Sequence, residues 1–238
     1  MVTVKNKFME IKNQTDSSAD IYFYGDIVSS EWSKWEDTDT APEDVRNFLA
    51  QVDNVENLNI YINSGGGSVF AGLAIYNMLK RHKGYKTAYI DGLGASIASV
   101  IPMAADKIVM PSNAFLMIHK PWNGMYGNAN DFRKMADDLD VIETGIINVY
   151  AENLKDGVDI EDIKAMVNAE TWLNGIEAAK YFNIEVAEEN KMVACSSDYF
   201  KNYSKVPSEV IRKEEAIHSP ENKVEEEVNA LLLKLELI

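Results

Sequence analysis

The chain has 238 residues, 46% of them hydrophobic and only 6 of them proline. That is enough apolar material to bury a full core, and it excludes a mainly disordered or collagen-like protein. With 23 Lys and Arg against 38 Asp and Glu, the formal charge is −15, a field that repels phosphate backbones, so no nucleic-acid partner is expected. Cys195 is the only cysteine, which rules out an internal disulfide or a cysteine-based zinc site. Lys5, Lys7, Glu10 and Lys12 break up the first residues, so no continuous apolar signal segment is present there and a cytoplasmic location is expected. The longest uncharged, mostly apolar stretch, Gly92 to Ala105, has 14 residues; it is too short to span a bilayer, and no membrane partner is expected.

In chain order, β-rich runs at Ile21–Tyr24, Leu58–Ile62, Thr87–Ile90, Lys107–Met110 and Ala114–Ile118 alternate with helical windows near 42–52, 69–82 and 96–105. This alternation predicts a wound α/β core with helices packed on a sheet. From Asn128 to Leu154 the apolar residues Phe132, Met135, Leu139, Ile142, Ile146 and Val149 recur in steps of 3, 4, 3, 4 and 3, a heptad seam on one long helix. Such a helix either projects for oligomer contacts or packs along its length on its own core. Asp159 to Val167 and Gly175 to Phe182 read as shorter helices, with Glu170–Leu173 between them. From Val206 the composition shifts to four Lys or Arg against eight Glu, which divides the chain into a domain at 1–205 and an acidic, partly helical tail at 206–238.

Two glycine-bearing segments follow strands. In Asn63-Ser-Gly-Gly-Gly-Ser68, three adjacent glycines permit positive φ and let backbone N–H groups approach a ligand. No nucleotide fingerprint can be laid over them, so the choice is between an N–H cradle and a plain tight turn. In Gly92-Leu-Gly-Ala-Ser96-Ile-Ala-Ser99, Ser96 sits where a strand turns into a helical segment. A nucleophile needs that placement, with the next N–H directed at a developing oxyanion, but a helix N-cap also needs it. His119 ends an apolar run and precedes Lys120-Pro121, which stops a strand and leaves the imidazole at its edge. His82 and His218 give no metal-type spacing with it, so neither a metal nor a cofactor is expected.

Residues Ile62-Asn-Ser-Gly-Gly-Gly-Ser-Val-Phe-Ala-Gly-Leu-Ala-Ile-Tyr76, Gly92-Leu-Gly-Ala-Ser-Ile-Ala-Ser99 and Met117-Ile-His-Lys-Pro121 resemble, in the same order, the three signature blocks of the Clp protease proteolytic subunit (ClpP) family, peptidase S14. The resemblance covers roughly Asp20 to Glu188. It implies the ClpP/crotonase-like ββα spiral fold, a serine endopeptidase, and homo-oligomeric stacked rings. It also implies that Ser96 is the nucleophile and His119 the base, that Gly67 and Ile97 form the oxyanion hole, and that Gly66, Gly67 and Ser68 bind substrate. The acidic member falls at Glu170, where the family usually has Asp; Asp159, Glu161 and Asp162 are its nearest competitors.

The sequence departs from the family pattern at Gly65, where Pro is general, and at Ile97, where Met is. The family's axial-loop segment is not recognisable in residues 1–19. With the Trp-rich insertion Glu31–Asp37 and the acidic tail, these departures look more like phage or prophage head maturation proteases, which cleave scaffold and capsid proteins inside proheads. The alternatives are a bacterial Clp subunit partnered by an ATPase unfoldase, a catalytically inactive ClpP-like shell or assembly protein, and an acyl-CoA enzyme of the crotonase type.

Overall fold

The computed structural model describes residues 17–188 and 197–207; the tail from Ser208 onward and Cys195 lie outside the described residues. Among the described residues, seven strands and five α-helices form one mixed, mostly parallel sheet with its covering helices. β1 (Ser18–Phe23), β2 (Asn57–Ser64), β3 (Tyr85–Ala95), β4 (Lys107–Pro111) and β7 (Ile184–Ala187) lie side by side in that order, all parallel. β5 (Phe115–Ile118) continues the track of β4 after a turn closed by the Ala114 N–H on the Pro111 carbonyl. It pairs parallel with the upper half of β3 and antiparallel with β6 (Thr171–Asn174). The α/β winding expected from the alternation is therefore observed.

Strand β3 holds the two halves together. Its residues 87–89 pair with β4 and its residues 93–95 with β5. Between Ile62↔Ile90 and Ser64↔Gly94 the register against β2 slips by two residues. Bulges of this kind bend a strand and increase its twist. The strand consequently runs on to Ala95, five residues past the expected Ile90, and ends directly at Ser96. Below the bulge, Tyr22, Tyr61 and Tyr89 stand in register on one face, with ring centroids 4.7 and 5.1 Å apart. Stacked cross-strand aromatics of this sort hold parallel strands in line. On the other face Ile21, Ile60, Ile62 and Ile90 are fully buried beneath α1 (Pro42–Gln51) and α2 (Val69–Arg81).

The helix expected over 96–105 is instead two 3-10 turns, Ser96–Ser99 and Ile101–Ala104. Pro102 explains the break: it has no N–H to return to the preceding turn, and its ring disfavours helical backbone at the residue before it. Neither β6 nor β7 was expected; each has only four residues, too short to show a period.

Helix α3 (Ala129–Ala151) divides the two readings of the seam between its halves. Ile146, Ile147, Val149 and Tyr150 are buried in the core, whereas Phe132 and Val141 are 52% and 70% exposed. The N-terminal half projects, capped by Asn128, whose side chain accepts from the Asn130 and Asp131 N–H groups. Helices α4 (Ile160–Asn168) and α5 (Gly175–Tyr181) fall where expected. Among the described residues no helix is long and apolar enough to cross a membrane.

One buried polar link ties α3 to the turn after β3. Ser99 Oγ bonds the Ser96 carbonyl at 2.5 Å and the Tyr150 hydroxyl at 2.7 Å, and Tyr150 is only 1% exposed. Ser99→Ala strands that phenol without its partner, so urea unfolding should show a loss of about 1–3 kcal/mol, partly recovered in Ser99→Ala/Tyr150→Phe.

Candidate active site

Sheet register brings four segments to one end of the sheet. β3 ends at Ser96 and its neighbour β5 at His119. The antiparallel register Met117↔Trp172 and Ile118↔Thr171 brings Glu170 opposite His119 one step further. The pair Ser64↔Gly94 delivers the Gly65–Ser68 loop to the same place. Ser96 Oγ lies 2.7 Å from His119 Nε2. Ser96 and Glu170 have φ of 53° and 50° and are the two non-glycine residues with positive φ among those described. Left-handed backbone is costly for residues with a Cβ and collects where the surroundings over-determine it, which is typical of functional sites.

The glycine loop is built for close approach. Ile27 N–H donates to the Gly66 carbonyl and Ser68 N–H to the Ile27 carbonyl, both at 2.7 Å. That bridge directs the N–H of Gly67, between them, away from Ile27. Gly67 has φ +141°, and a Cβ there would lie 2.0 Å from the Ile27 carbonyl oxygen, so only glycine fits. The Ile97 side chain is buried against Gly72. Gly67 and Ser68 line a cleft of about 290 Å³ together with Ser96, His119, Leu139 and Ile142. Gly66 is not in its wall; it is buried behind, with its carbonyl committed to Ile27. A hollow of about 360 Å³ between α1 and α2, lined by Glu43, Arg46 and Arg81, contains no nucleophile beside a base.

Electrostatically the acid and the base are set apart. Burial pushes the His119 imidazole below its ordinary value, opposed in part by the charge of Glu170. Burial would raise Glu170, but the N–H groups of Ser204 and Lys205 outweigh it and hold the carboxyl below its ordinary value. Those two N–H groups occupy Oε2 at 2.8 Å and Oε1 at 2.7 Å, and the Trp172 indole N–H reaches Oε1 at 3.5 Å. Glu170 acts on His119 through its field and makes no hydrogen bond to it. Asp159 caps α4 by accepting from Glu161 N–H, and Glu161 pairs with Lys164; Asp159, Glu161 and Asp162 are all exposed on that helix. Among the described residues no group of three or more His, Cys, Asp or Glu is placed to hold a metal ion.

Tyr203 escaped sequence reasoning. It is 8% exposed, lines the cleft, and sets its ring edge-on to His119 with centroids 5.0 Å apart. It lies in an aperiodic stretch beside the acidic tail, and the glycine at position 65 was its only trace.

A serine hydroxyl bonded to an imidazole can pass its proton to the ring, the chemistry that a hydroxyl nucleophile uses. Fold and site together define a class, the α/β proteins equipped for chemistry through a serine hydroxyl. Within that class the relatives are specific, for the family model of Clp protease matches residues 33–187. The ATP-dependent Clp protease proteolytic subunit of Bacteroides fragilis is 30% identical over 141 residues, covering 58% of this chain and 67% of its own. Its counterpart in Borreliella afzelii is 30% identical over 136 residues, 56% of this chain and 68% of its own, and that in Porphyromonas gingivalis 30% over 149, 60% and 65%. The chain belongs to the Clp protease family, and its fold is ClpP-like.

The lowered His119 value has a measurable consequence. As pH falls the unfolded chain takes up this proton first, at about 6.5. The contribution of the neutral imidazole to stability is therefore complete above about pH 6.5 and is lost as the pH falls through the lower folded-state value. Urea midpoints of the wild type should drop more steeply from about pH 7 to about pH 5 than those of His119→Gln.

Proposed function

We propose that the chain is a serine endopeptidase working through Ser96 and His119, with Glu170 as the supporting acid. The observation that carries this reading is the 2.7 Å contact between Ser96 Oγ and His119 Nε2 on a left-handed turn at a strand end. In the neutral tautomer with the proton on Nδ1, His119 takes the hydroxyl proton as Ser96 attacks a peptide carbonyl, then returns it to the leaving amine. The N–H groups of Gly67 and Ile97 receive the oxyanion, and water repeats the cycle to release the acyl group. An extended substrate lies beside the Gly67–Ser68 edge and is held by main-chain hydrogen bonds that ignore sequence. Without a bonded carboxylate, the imidazolium is supported by charge alone.

Activity-based labelling tests this. A fluorophosphonate should label wild-type Ser96, and Ser96→Ala should lose both label and casein cleavage. Glu170→Gln should slow cleavage by about 10- to 100-fold, less than the roughly 10⁴-fold loss known for a triad acid directly bonded to its histidine.

We further propose a homo-oligomer, as stacked rings, joined through the projecting half of α3. Its exposed Phe132 is the seam residue that such an interface would cover. Phe132→Asp should give a smaller species by light scattering, with the fold intact by circular dichroism.

For the setting we propose head maturation in a phage or prophage, in the cytoplasm of a bacterial host and inside proheads, with scaffold or capsid proteins as substrates. The supporting features are the Trp-rich insertion, with Trp32 and Trp35 98% and 91% exposed, and the acidic tail. The second reading is a subunit working with an ATPase unfoldase, favoured by the naming of the relatives as ATP-dependent Clp protease proteolytic subunits. Cleavage of a folded capsid precursor without ATP favours the first; cleavage of folded protein only with an ATPase and ATP favours the second.

A further inference from the structure

After β7 the chain comes back to the site. Residues 197–205 cross it as a strap anchored at three places. Ser197 Oγ donates to Asp26 at 2.6 Å, the Tyr203 hydroxyl donates to the Gly65 carbonyl at 2.6 Å, and the N–H groups of Ser204 and Lys205 hold Glu170. Lys205 Nζ also donates to the Ala169 carbonyl. The strap lies so close that it dictates the loop sequence. A Cβ on Gly65 would sit 2.2 Å from Ser197 Oγ and 2.3 Å from Ser197 Cβ. Glycine at 65, where the sequence departs from the family pattern, is what lets the strap in.

Tyr203 stands between the anchors. Its ring packs with Leu93, Ala95 and Met117, edge-on to both His119 and Trp172. A Cβ built on Gly66 would lie 2.7 Å from Ser96 Cβ and 3.2 Å from the Tyr203 hydroxyl, so the phenol is beside the serine. Burial raises its pKa well above the ordinary tyrosine range, a hydrogen bond with Ser96 opposing and the charge of Asp26 reinforcing. The phenol therefore stays a neutral donor at any working pH, and its proton is committed to Gly65.

We propose that Tyr203 is a positioning residue of the Ser96–His119 site, its hydroxyl fixing through Gly65 the loop that carries Gly67 and its ring shielding His119 from water. This rests on the roles given above to Ser96 and His119. The tie to Gly65 aims an oxyanion donor and the ring keeps the base dry and neutral, while the same hydroxyl also hydrogen-bonds Ser96. A tyrosine that merely filled space would leave both properties unchanged when altered.

Side-chain NMR of the full-length protein, which has three histidines, follows His119 without requiring turnover, and the fluorophosphonate labelling rate follows the aim of the loop. In Tyr203→Ala water reaches the imidazole, so the His119 midpoint should rise toward about 6.5. In Tyr203→Phe the ring remains, so the midpoint should stay at the wild-type value while labelling of Ser96 slows about tenfold for want of the hydroxyl's ties to Gly65 and Ser96. The charged and titratable groups around His119 are Glu170 on the β6 side, Tyr199 and Lys205 on the strap, and Lys120, which pairs with Asp140 and Glu143 on α3. None of them is altered in either variant. A midpoint unmoved in Tyr203→Ala overturns the shielding role, and wild-type labelling of Tyr203→Phe overturns the loop-holding role. If Tyr203→Ala loses its fold by circular dichroism, Gly65→Ala decides in its place: its methyl collides with Ser197, lifts the strap, and must raise the His119 midpoint, and no rise overturns the proposal. Absence of any label on wild-type Ser96, with the midpoint still moving in Tyr203→Ala, would sink the peptidase reading and leave the Tyr203 contact standing.

Discussion

The register slip on β3 is the constraint on which the site depends. Without two extra residues between Ile90 and Gly94, the upper half of the strand would stay beside β4, and its end would face a different neighbour. With them, three consecutive ladders (β2 on β3, β3 on β5, β5 on β6) terminate together. A one-residue change in any ladder turns every side chain beyond it to the opposite face. The meeting of Ser96 with His119 is thus set by the hydrogen-bond ladders of the buried strands beneath them. The two left-handed residues, Ser96 and Glu170, lie just beyond the ends of β3 and β6 respectively, where the ladders no longer impose extended backbone and the strain can be carried.

Burial then sorts the protons. His119 is half-buried and titrates low; Glu170 is kept anionic by two backbone donors from the strap. The carboxylate, engaged at both oxygens, is a fixed negative charge in place of a mobile partner for the imidazole. A fixed charge stabilises an imidazolium as it forms but does not choose its tautomer. Choosing the tautomer takes a hydrogen bond on Nδ1, so the proposed site is intermediate between a triad and a dyad.

Legibility in the sequence tracked the length of the contact. The strands of β1 to β5, α1, α2 and the setting of Ser96 are written in local periodicity and in glycine placement, and each is found within a few residues of its expected bounds. The expected helix over 96–105 is broken for a local reason, the proline at 102, inside an apolar run that by itself reads as one helix. Beyond that the signal fades. Glu170 was reached through family resemblance and not from its own surroundings, because its site is made by an antiparallel ladder of four residues. Tyr203 lies 84 positions from His119, and nothing periodic marks such a contact; its one imprint is the missing side chain at Gly65, which reads as an ordinary turn glycine until Ser197 is seen against it.

Helix α3 carries the argument from the site to the assembly. Leu139 and Ile142 belong to the seam that continues to Phe132, yet they also form a wall of the cleft above Ser96. The C-terminal turns of the helix are fixed by the core through Ile146, Val149 and Tyr150, whereas its N-terminal turns have no core of their own. Isolated helices of this length are marginal in water and take most of their stability from packing of an apolar face. In the proposed oligomer that face is supplied by a neighbouring subunit, and the cleft wall is thereby held from outside. Lys120, next to His119 in sequence, is paired with Asp140 and Glu143 on the same helix, a second link between the two. Dissociation would release the helix and loosen this wall of the cleft while leaving the contact between Ser96 and His119, which the sheet maintains.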